Sequence, residues 1–357
     1  MTRLLDTIIG LSHEFGTPDY VKGGGGNTSA KNADTLWVKP SGTTLAGLTP
    51  QTMVAMDRAK LGRLYAVPTP SAPAAREALV KDMMAAAVRP DSKGRPSVEA
   101  PLHDTFAARY VVHTHPALVN GMTCGRDGEA ACRRLFPDAL WMPYVDPGYT
   151  LCMEVRKALK ACVARDGREP GLLFLENHGV FVAADTAAGV RNAYARVMGA
   201  LSAEYRKAGV STILKMGPPP AAADVAAMTT QLQASLGPDA AGVAAGGAIP
   251  IPAGPISPDH IVYSKSYPLR TAPTRNAVAR YRAKHGYAPK VVAAGGAVWG
   301  VGTNAKNAAL ALEFAQDGAL VEQLAAAFGG IRYLADRARD FIDNWEVESY
   351  RSRIAAQ

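Results

Sequence analysis

Cysteine is scarce in this chain and follows no pattern. The 357 residues hold four, Cys124, Cys132, Cys152 and Cys162, with no C-x-x-C spacing. That leaves out a disulfide scaffold and a thiolate zinc site, so the thiols are expected reduced and mostly buried. Clustered positive charge is missing as well. The excess of 39 basic over 31 acidic residues gives a formal charge of +8, yet no three Lys or Arg residues are consecutive, which argues against a nucleic-acid partner. Long apolar runs are absent. Asp6, His13 and Glu14 interrupt any secretory h-region, and the uncharged stretch 240–256 holds seven Gly or Pro residues, so it reads as a linker and not as a membrane span. No G-x-G-x-x-G follows a strand after residue 260, which excludes that dinucleotide fingerprint. With 48% hydrophobic residues, what is left is a cytoplasmic enzyme of two units without a membrane partner.

Periodicity places the elements. Leu4, Leu5, Ile8, Ile9 and Leu11 form a helical stripe over residues 3–15, and residues 71–88 are Ala-rich and helical. Residues 28–31 and 35–39 flank Asn32-Ala33-Asp34, a hairpin turn. Residues 171–175 and 180–183 read as strands around His178, after which Asp185 or Thr186 caps a helix to about residue 208. This alternation predicts an α/β layered fold. Past the break Gly217-Pro218-Pro219-Pro220, residues 291–300 align without gaps on residues 173–182, and each copy precedes an Ala-rich helix. Gly296 stands where the first copy has His178. The expected organisation is therefore a catalytic domain 1–216, a Gly/Pro/Ala-rich linker 217–256 and a smaller, degenerate α/β repeat domain 257–357 without metal ligands.

The chemistry-bearing residues begin with His113-Thr114-His115-Pro116, at the end of the apolar run Tyr110-Val111-Val112. Side chains alternate along a strand, so His113 and His115 share a face and can hold one metal ion. His178, in Glu176-Asn177-His178-Gly179, is a third imidazole. Three imidazoles leave a coordination position open, as in catalytic zinc sites; unrelated polar residues at strand ends are the alternative.

Two loops have anion-binding chemistry. Gly23-Gly24-Gly25-Gly26-Asn27-Thr28-Ser29 allows close backbone approach and adds side-chain donors, and Lys39-Pro40-Ser41-Gly42-Thr43-Thr44 adds a cation with small hydroxyls. Lys22, Lys31 and Lys39 are candidates for raising the local potential, or are ordinary solvated surface. In Pro96-Ser97-Val98-Glu99, Ser97 reads as a helix cap, and Glu99 as either a first-turn carboxylate or an acid/base beside the metal. His103, four residues on, is read as structural.

Together, Gly24-Gly25-Gly26-Asn27-Thr28-Ser29, Lys39-Pro40-Ser41-Gly42, Pro96-Ser97-Val98-Glu99, His113-Thr114-His115-Pro116 and Asn177-His178-Gly179 resemble, in order, the class II aldolase/adducin family. The aldolase portion of bifunctional rhamnulose-1-phosphate aldolase/alcohol dehydrogenases is the nearest likeness. Ser257-Pro258-Asp259-His260-Ile261-Val262-Tyr263-Ser264-Lys265 looks like their post-aldolase segment, without the dehydrogenase. The resemblance implies a mostly antiparallel central sheet flanked by helices. It implies His113, His115 and His178 as ligands of Zn2+ or another divalent cation such as Mn2+ or Co2+, and Glu99 as acid/base. Asn27, Ser41, Gly42 and Ser97 become phosphate contacts, and a small phosphorylated sugar the substrate. A homo-oligomer, dimer or tetramer, is also implied. The implied reaction cleaves a ketose 1-phosphate to dihydroxyacetone phosphate and an aldehyde through a metal-stabilised enediolate. The family also supplies, across a subunit interface, a tyrosine as second proton donor; Tyr149 is the candidate, an ordinary buried tyrosine the alternative.

One departure and three rivals bear on this. Short sugar-phosphate aldolases resemble the pattern with a second serine where this chain has Val98, so one phosphate hydroxyl is lost. A sugar-phosphate 4-epimerase would share the metal but resembles the pattern with Asp in place of Glu99, and a dehydratase would keep the histidines with a different acid/base. An adducin-like interaction module would lose the histidines, and all three are present.

Overall fold

The computed structural model describes residues 2–345. Residues 346–357, the end of the expected second unit, lie outside the described residues. The chain divides into two compact units: residues 1–119 with 129–200, and residues 120–128 with the described residues from 201 onward.

The first unit is built on a seven-stranded sheet. Its strands are β1 (Asn27–Lys31), β2 (Thr35–Val38), β3 (Val54–Asp57), β4 (Tyr110–Thr114), β5 (Leu140–Met142), β6 (Leu172–Leu175) and β7 (Gly179–Ala184), in the order β3-β2-β1-β4-β7-β6-β5. All neighbours are antiparallel except β5 and β6, as the resemblance implies. The turn between β1 and β2 is fixed by Asn32, whose Oδ1 accepts from the backbone N–H groups of Asp34 and Thr35.

Strands β1, β2, β4 and β6 are buried along their whole length, so helices cover both faces. Val111, Leu173 and Phe181 pack with Leu151, Val155 and Leu159 of the helix Tyr149–Asp166. That helix stops at Gly167, which takes the left-handed conformation at φ 72°. Across the sheet, Ser12 of the helix Thr2–Glu14 shares a 2.7 Å hydrogen bond with Thr28. Tyr194 of the helix Ala187–Lys207 meets Thr114 Oγ1 at 2.7 Å and stacks on Phe15. Thr186 caps that helix by accepting from the Gly189 N–H. Each fully buried Leu, Val or Phe contributes about 1.5–3 kcal/mol, which is why these apolar runs dominate the architecture.

The second unit holds a smaller antiparallel sheet of β8 (Gly242–Gly247), β9 (Val291–Ala294) and β10 (Ala297–Gly302), in the order β8-β10-β9. Here the linker reading of 217–256 needs correction: it contains the helix Ala222–Leu236 as well as β8. Its small residues are there for packing. The helix Ala305–Ala325 lies so close that a Cβ on Gly300 would stand 2.1 Å from the Ala308 carbonyl oxygen, and one on Gly242 would stand 2.1 Å from that of Asn304. Low side-chain volume here means close approach of backbone to backbone, which composition alone does not separate from flexibility.

Both aligned segments form an antiparallel hairpin followed by a 21-residue helix. The turns differ. Leu175 pairs with Gly179 across three turn residues, whereas Ala294 pairs with Ala297 across Gly295 and Gly296, at φ 64° and 71°. The gap-free alignment therefore slips by one residue of register, because two glycines at positive φ close a turn that the first hairpin makes with three residues.

Candidate metal centre

Register across β1, β4 and β7 assembles the site. Asn27 is the Cα partner of His113, and His113 is the partner of Phe181, so the three stand abreast on neighbouring strands. The His113 ring stacks on Phe181 with centroids 3.8 Å apart and planes 9° from parallel. His115 lies just past the end of β4, its backbone N–H donating to the Tyr20 carbonyl at 2.9 Å. His178 closes the β6–β7 turn, which Asn177 makes by adopting φ 54°, a conformation Asn tolerates better than most residues. Gly179 follows because there is no room for a side chain: a Cβ there would stand 2.5 Å from the Thr114 carbonyl oxygen and 2.6 Å from His115 Cδ2.

The three imidazoles converge through the same atom. His113 Nε2 lies 2.9 Å from His115 Nε2 and 3.4 Å from His178 Nε2. His113 Nδ1 is 2.9 Å from the Val180 carbonyl oxygen. A carbonyl only accepts, so Nδ1 carries the proton and the Nε2 lone pair is left to bind a cation. Ligands at ~2.0–2.1 Å in a tetrahedron stand about 3.3 Å apart, close to the spacing observed. The donor set therefore fits a divalent metal, and it is a cluster of ligand atoms all within 4.8 Å of one another.

Glu99 faces this cluster. Its Oε1 lies 3.5 Å from His113 Nε2 and 3.8 Å from His178 Nε2, while Oε2 accepts a short hydrogen bond from Asn27 Nδ2. The helix Ala100–Thr105 begins later than the sequence suggests: Glu99 itself is the cap residue, at φ −88° and ψ 4°, and its side chain makes no capping bond. Ser97 Oγ accepts from the Glu99 N–H instead of capping the helix. Both carboxylate oxygens are thereby released for the site.

The two predicted anion loops are brought together. Residues 39–41 run beside residues 95–97: Ser97 N–H donates to the Lys39 carbonyl, Ser41 N–H donates to the Arg95 carbonyl, and Pro40 bridges Pro96. Ser41 thus stands opposite Arg95 and Ser97 opposite Lys39 on the two adjoining segments, and Gly42 turns the loop at φ 83°. Buried Lys39 stitches the two loops, its ammonium donating to the carbonyls of Gly24 at 3.3 Å and Thr43 at 2.6 Å. The other two lysines go elsewhere. Lys22 donates to the Pro18 carbonyl at the surface, and Lys31 is buried under the helix Ala100–Thr105, where desolvation lowers its pKa to about 7.

Two further expectations are placed by the fold. His103 is buried with Nδ1 2.8 Å from Ser29 Oγ, outside the imidazole cluster, and desolvation holds it well below the usual histidine range. Tyr149 packs with Leu36, Met56, Val80 and Met84, and its hydroxyl donates to the Leu64 carbonyl at 3.3 Å. Within the chain this is the buried tyrosine of the alternative reading. Three supports were missed in the sequence: the Phe181 stack, the Val180 carbonyl that sets the His113 tautomer, and the Asn27 amide on Glu99. Only cross-strand register reveals them.

Residues 6–201 match the family described as the Class II Aldolase and Adducin N-terminal domain. The chain belongs to this family. Among relatives of this class II aldolase/adducin chain, the protein named uncharacterized oxidoreductase YuxG of Bacillus subtilis (strain 168) is 26% identical over 174 residues, 46% of this chain and 24% of that protein. The chain thus spans about a quarter of that relative's length. The N-terminal class II aldolase domain of a conserved protein from Thermoplasma acidophilum is 22% identical, covering 56% of this chain and 92% of that one with a TM-score of 0.49. An L-fuculose 1-phosphate aldolase is 15% identical, covering 58% and 87% with a TM-score of 0.40. Among the described residues no helix is long and apolar enough to cross a membrane.

Proposed function

We propose that the chain is a metal-dependent aldolase that cleaves a small ketose 1-phosphate to dihydroxyacetone phosphate and an aldehyde. The observation that carries this reading is the buried Glu99 carboxylate, 3.5 and 3.8 Å from two of three converging imidazole nitrogens. His113, His115 and His178 would hold a divalent ion, zinc by the ligand type and number. Such an ion supplies Lewis-acid stabilisation of negative charge developing on the substrate.

The chain's own groups do the rest. Asn27 fixes one carboxylate oxygen of Glu99, and the other stands beside the imidazole nitrogens. From there Glu99, in its acid form, delivers a proton to the carbon left electron-rich when the bond beside the carbonyl breaks, while the hydroxyl that becomes the aldehyde oxygen gives its proton to solvent; both transfers reverse in the condensation direction. Ser41, Gly42 and Ser97 are assigned to the phosphate, with Lys39 holding their loops and supplying positive charge. Asn27 serves Glu99 before the phosphate. Tyr149, its hydroxyl spent inside the core, is left out of the chemistry.

The test is to incubate the purified chain with dihydroxyacetone phosphate and a panel of short aldehydes and to assay for ketose 1-phosphate. Product is expected in the wild type, and Glu99→Gln should keep the metal while losing on the order of 10² or more in rate. Epimerisation or dehydration of a ketose phosphate, with no aldehyde condensed, would refute cleavage.

A further inference from the structure

Alternate positions of a strand share one face of the sheet, and on β1 three such positions are Asn27, Ser29 and Lys31. All three hold the segment 99–106. Asn27 bonds Glu99, Ser29 Oγ lies 2.8 Å from His103 Nδ1, and the Lys31 ammonium donates to the carbonyls of His103 at 2.5 Å and Phe106 at 2.6 Å. Within the segment the His103 N–H donates to the Glu99 carbonyl at 2.9 Å. The helix that starts at Glu99 is thus fixed along its length.

The side chains of His103 and Phe106 both meet Phe181, a ring with no exposed surface. The Phe106 ring lies 5.9 Å from it at 21° from parallel, and the His103 ring meets it edge-on at 5.3 Å. Phe181 in turn stacks on His113 at 3.8 Å. Two consecutive residues of β7 therefore hold the His113 imidazole, the Val180 carbonyl at its edge and the Phe181 ring on its face. Through Phe181 the segment that carries Glu99 and the strand that carries His113 share one contact.

We propose that Phe181 is a positioning residue: by stacking on His113 it raises the affinity of the three-histidine centre for its ion and ties that centre to the Glu99 helix. The inference rests on the reading of the cluster as a metal site. A contact raises affinity only if it is stronger with the ion bound than without it. This stack meets that condition. A cation on Nε2 draws electron density from the imidazole, and the face of a benzene ring is negative, so the attraction grows when the ion binds. A ring that only filled the core would add stability and leave the affinity unchanged.

The experiment is Zn2+ titration of the full chain in competition with a chromophoric chelator, together with the visible absorption spectrum of the chain loaded with Co2+. Phe181→Leu should weaken Zn2+ binding about tenfold, the lower end of the loss that follows removal of a partner outside the ligands. The Co2+ bands should change shape as the hold on His113 relaxes. Leu159→Ala empties part of the same core from the helix Tyr149–Asp166; it should lower the urea midpoint and leave both metal readings as in the wild type. Phe181→Met, whose flexible side chain refills the space, carries the same expectation as Phe181→Leu, so the test survives if that variant misfolds. Unchanged Zn2+ affinity in the Phe181 variants overturns the proposal, as does an equal weakening in Leu159→Ala. A wild-type chain that binds neither Zn2+ nor Co2+ refutes the metal reading itself and the role of Phe181 with it.

Discussion

The hairpin β6–β7 and the hairpin β9–β10 run through the same sequence of events, strand, tight turn, strand and 21-residue helix, with different turns and different neighbours. In the first, Asn177 takes a positive φ and leaves His178 in the turn with a side chain to offer. In the second, Gly295 and Gly296 take the positive φ values and offer none. The strand beside β7 is β4, which carries His113 and leads to His115. Beside β10 lies β8, whose sequence is Gly-Val-Ala-Ala-Gly-Gly. A metal centre thus needs two things that local grammar does not supply: a turn that retains a side chain, and a neighbouring strand that brings ligands to the same edge.

Breaking the first hairpin should have the largest effect. His178→Ala is expected to reduce metal content from about one ion per chain to near zero and to abolish turnover, a loss beyond the 10- to 100-fold that follows removal of an outer partner. Elemental analysis of the purified variant checks it. Breaking the second hairpin should cost stability without touching the metal. Gly300→Ala places a Cβ 2.1 Å from the Ala308 carbonyl, so overpacking should cost about 1–3 kcal/mol. A lower urea midpoint with unchanged metal content is the expected pair of readings.

A finer comparison uses one buried lysine in each unit. Lys31 donates to the carbonyls of His103 and Phe106, and Lys290 to that of Val262, and desolvation lowers their pKa values to about 7 and about 8. Because each folded-state pKa lies below that of the unfolded chain, the unfolded state binds more protons above these values. Stability from these groups should therefore rise with pH from about 7 for Lys31, and from about 8 for Lys290. Urea titrations between pH 7 and 9 should show a flatter rise for Lys31→Met than for the wild type. The smallest effect should come from the turn itself. Asn177→Ala keeps His178 but forces alanine to positive φ, costing about 1 kcal/mol, whereas Asn177→Gly should be close to neutral; the reverse order would show that the Asn177 side chain, not its backbone, matters.

The His-x-His pair, the third histidine and the acidic residue were legible because their chemistry is carried by residue type and by the period-two alternation of a strand. The helix Thr2–Glu14 and the β1–β2 hairpin were legible from apolar spacing and from the Asn32 turn. The linker assignment failed for want of contacts. Tyr149 is offered by the family likeness alone, and its ring joins Val80 and Met84 in the core. Stretch 217–256 looks like a linker because glycine and alanine are common in linkers, yet its β8 completes a sheet packed tightly under a helix.

By itself, then, the sequence determined which residues can ligate a metal, the alternation of strands and helices that marks the fold class, and a family likeness that matches over residues 6–201. Tertiary structure decided which atoms face one another. The Val180 carbonyl selects the His113 tautomer, Asn27 aims Glu99, Lys39 ties the two glycine-containing loops, and Gly242 lets β8 close on Asn304. Each of these joins residues distant in the chain, through strand register or close helix approach, and distances of 2–4 Å between such residues are set by packing of the whole unit and not by any local preference.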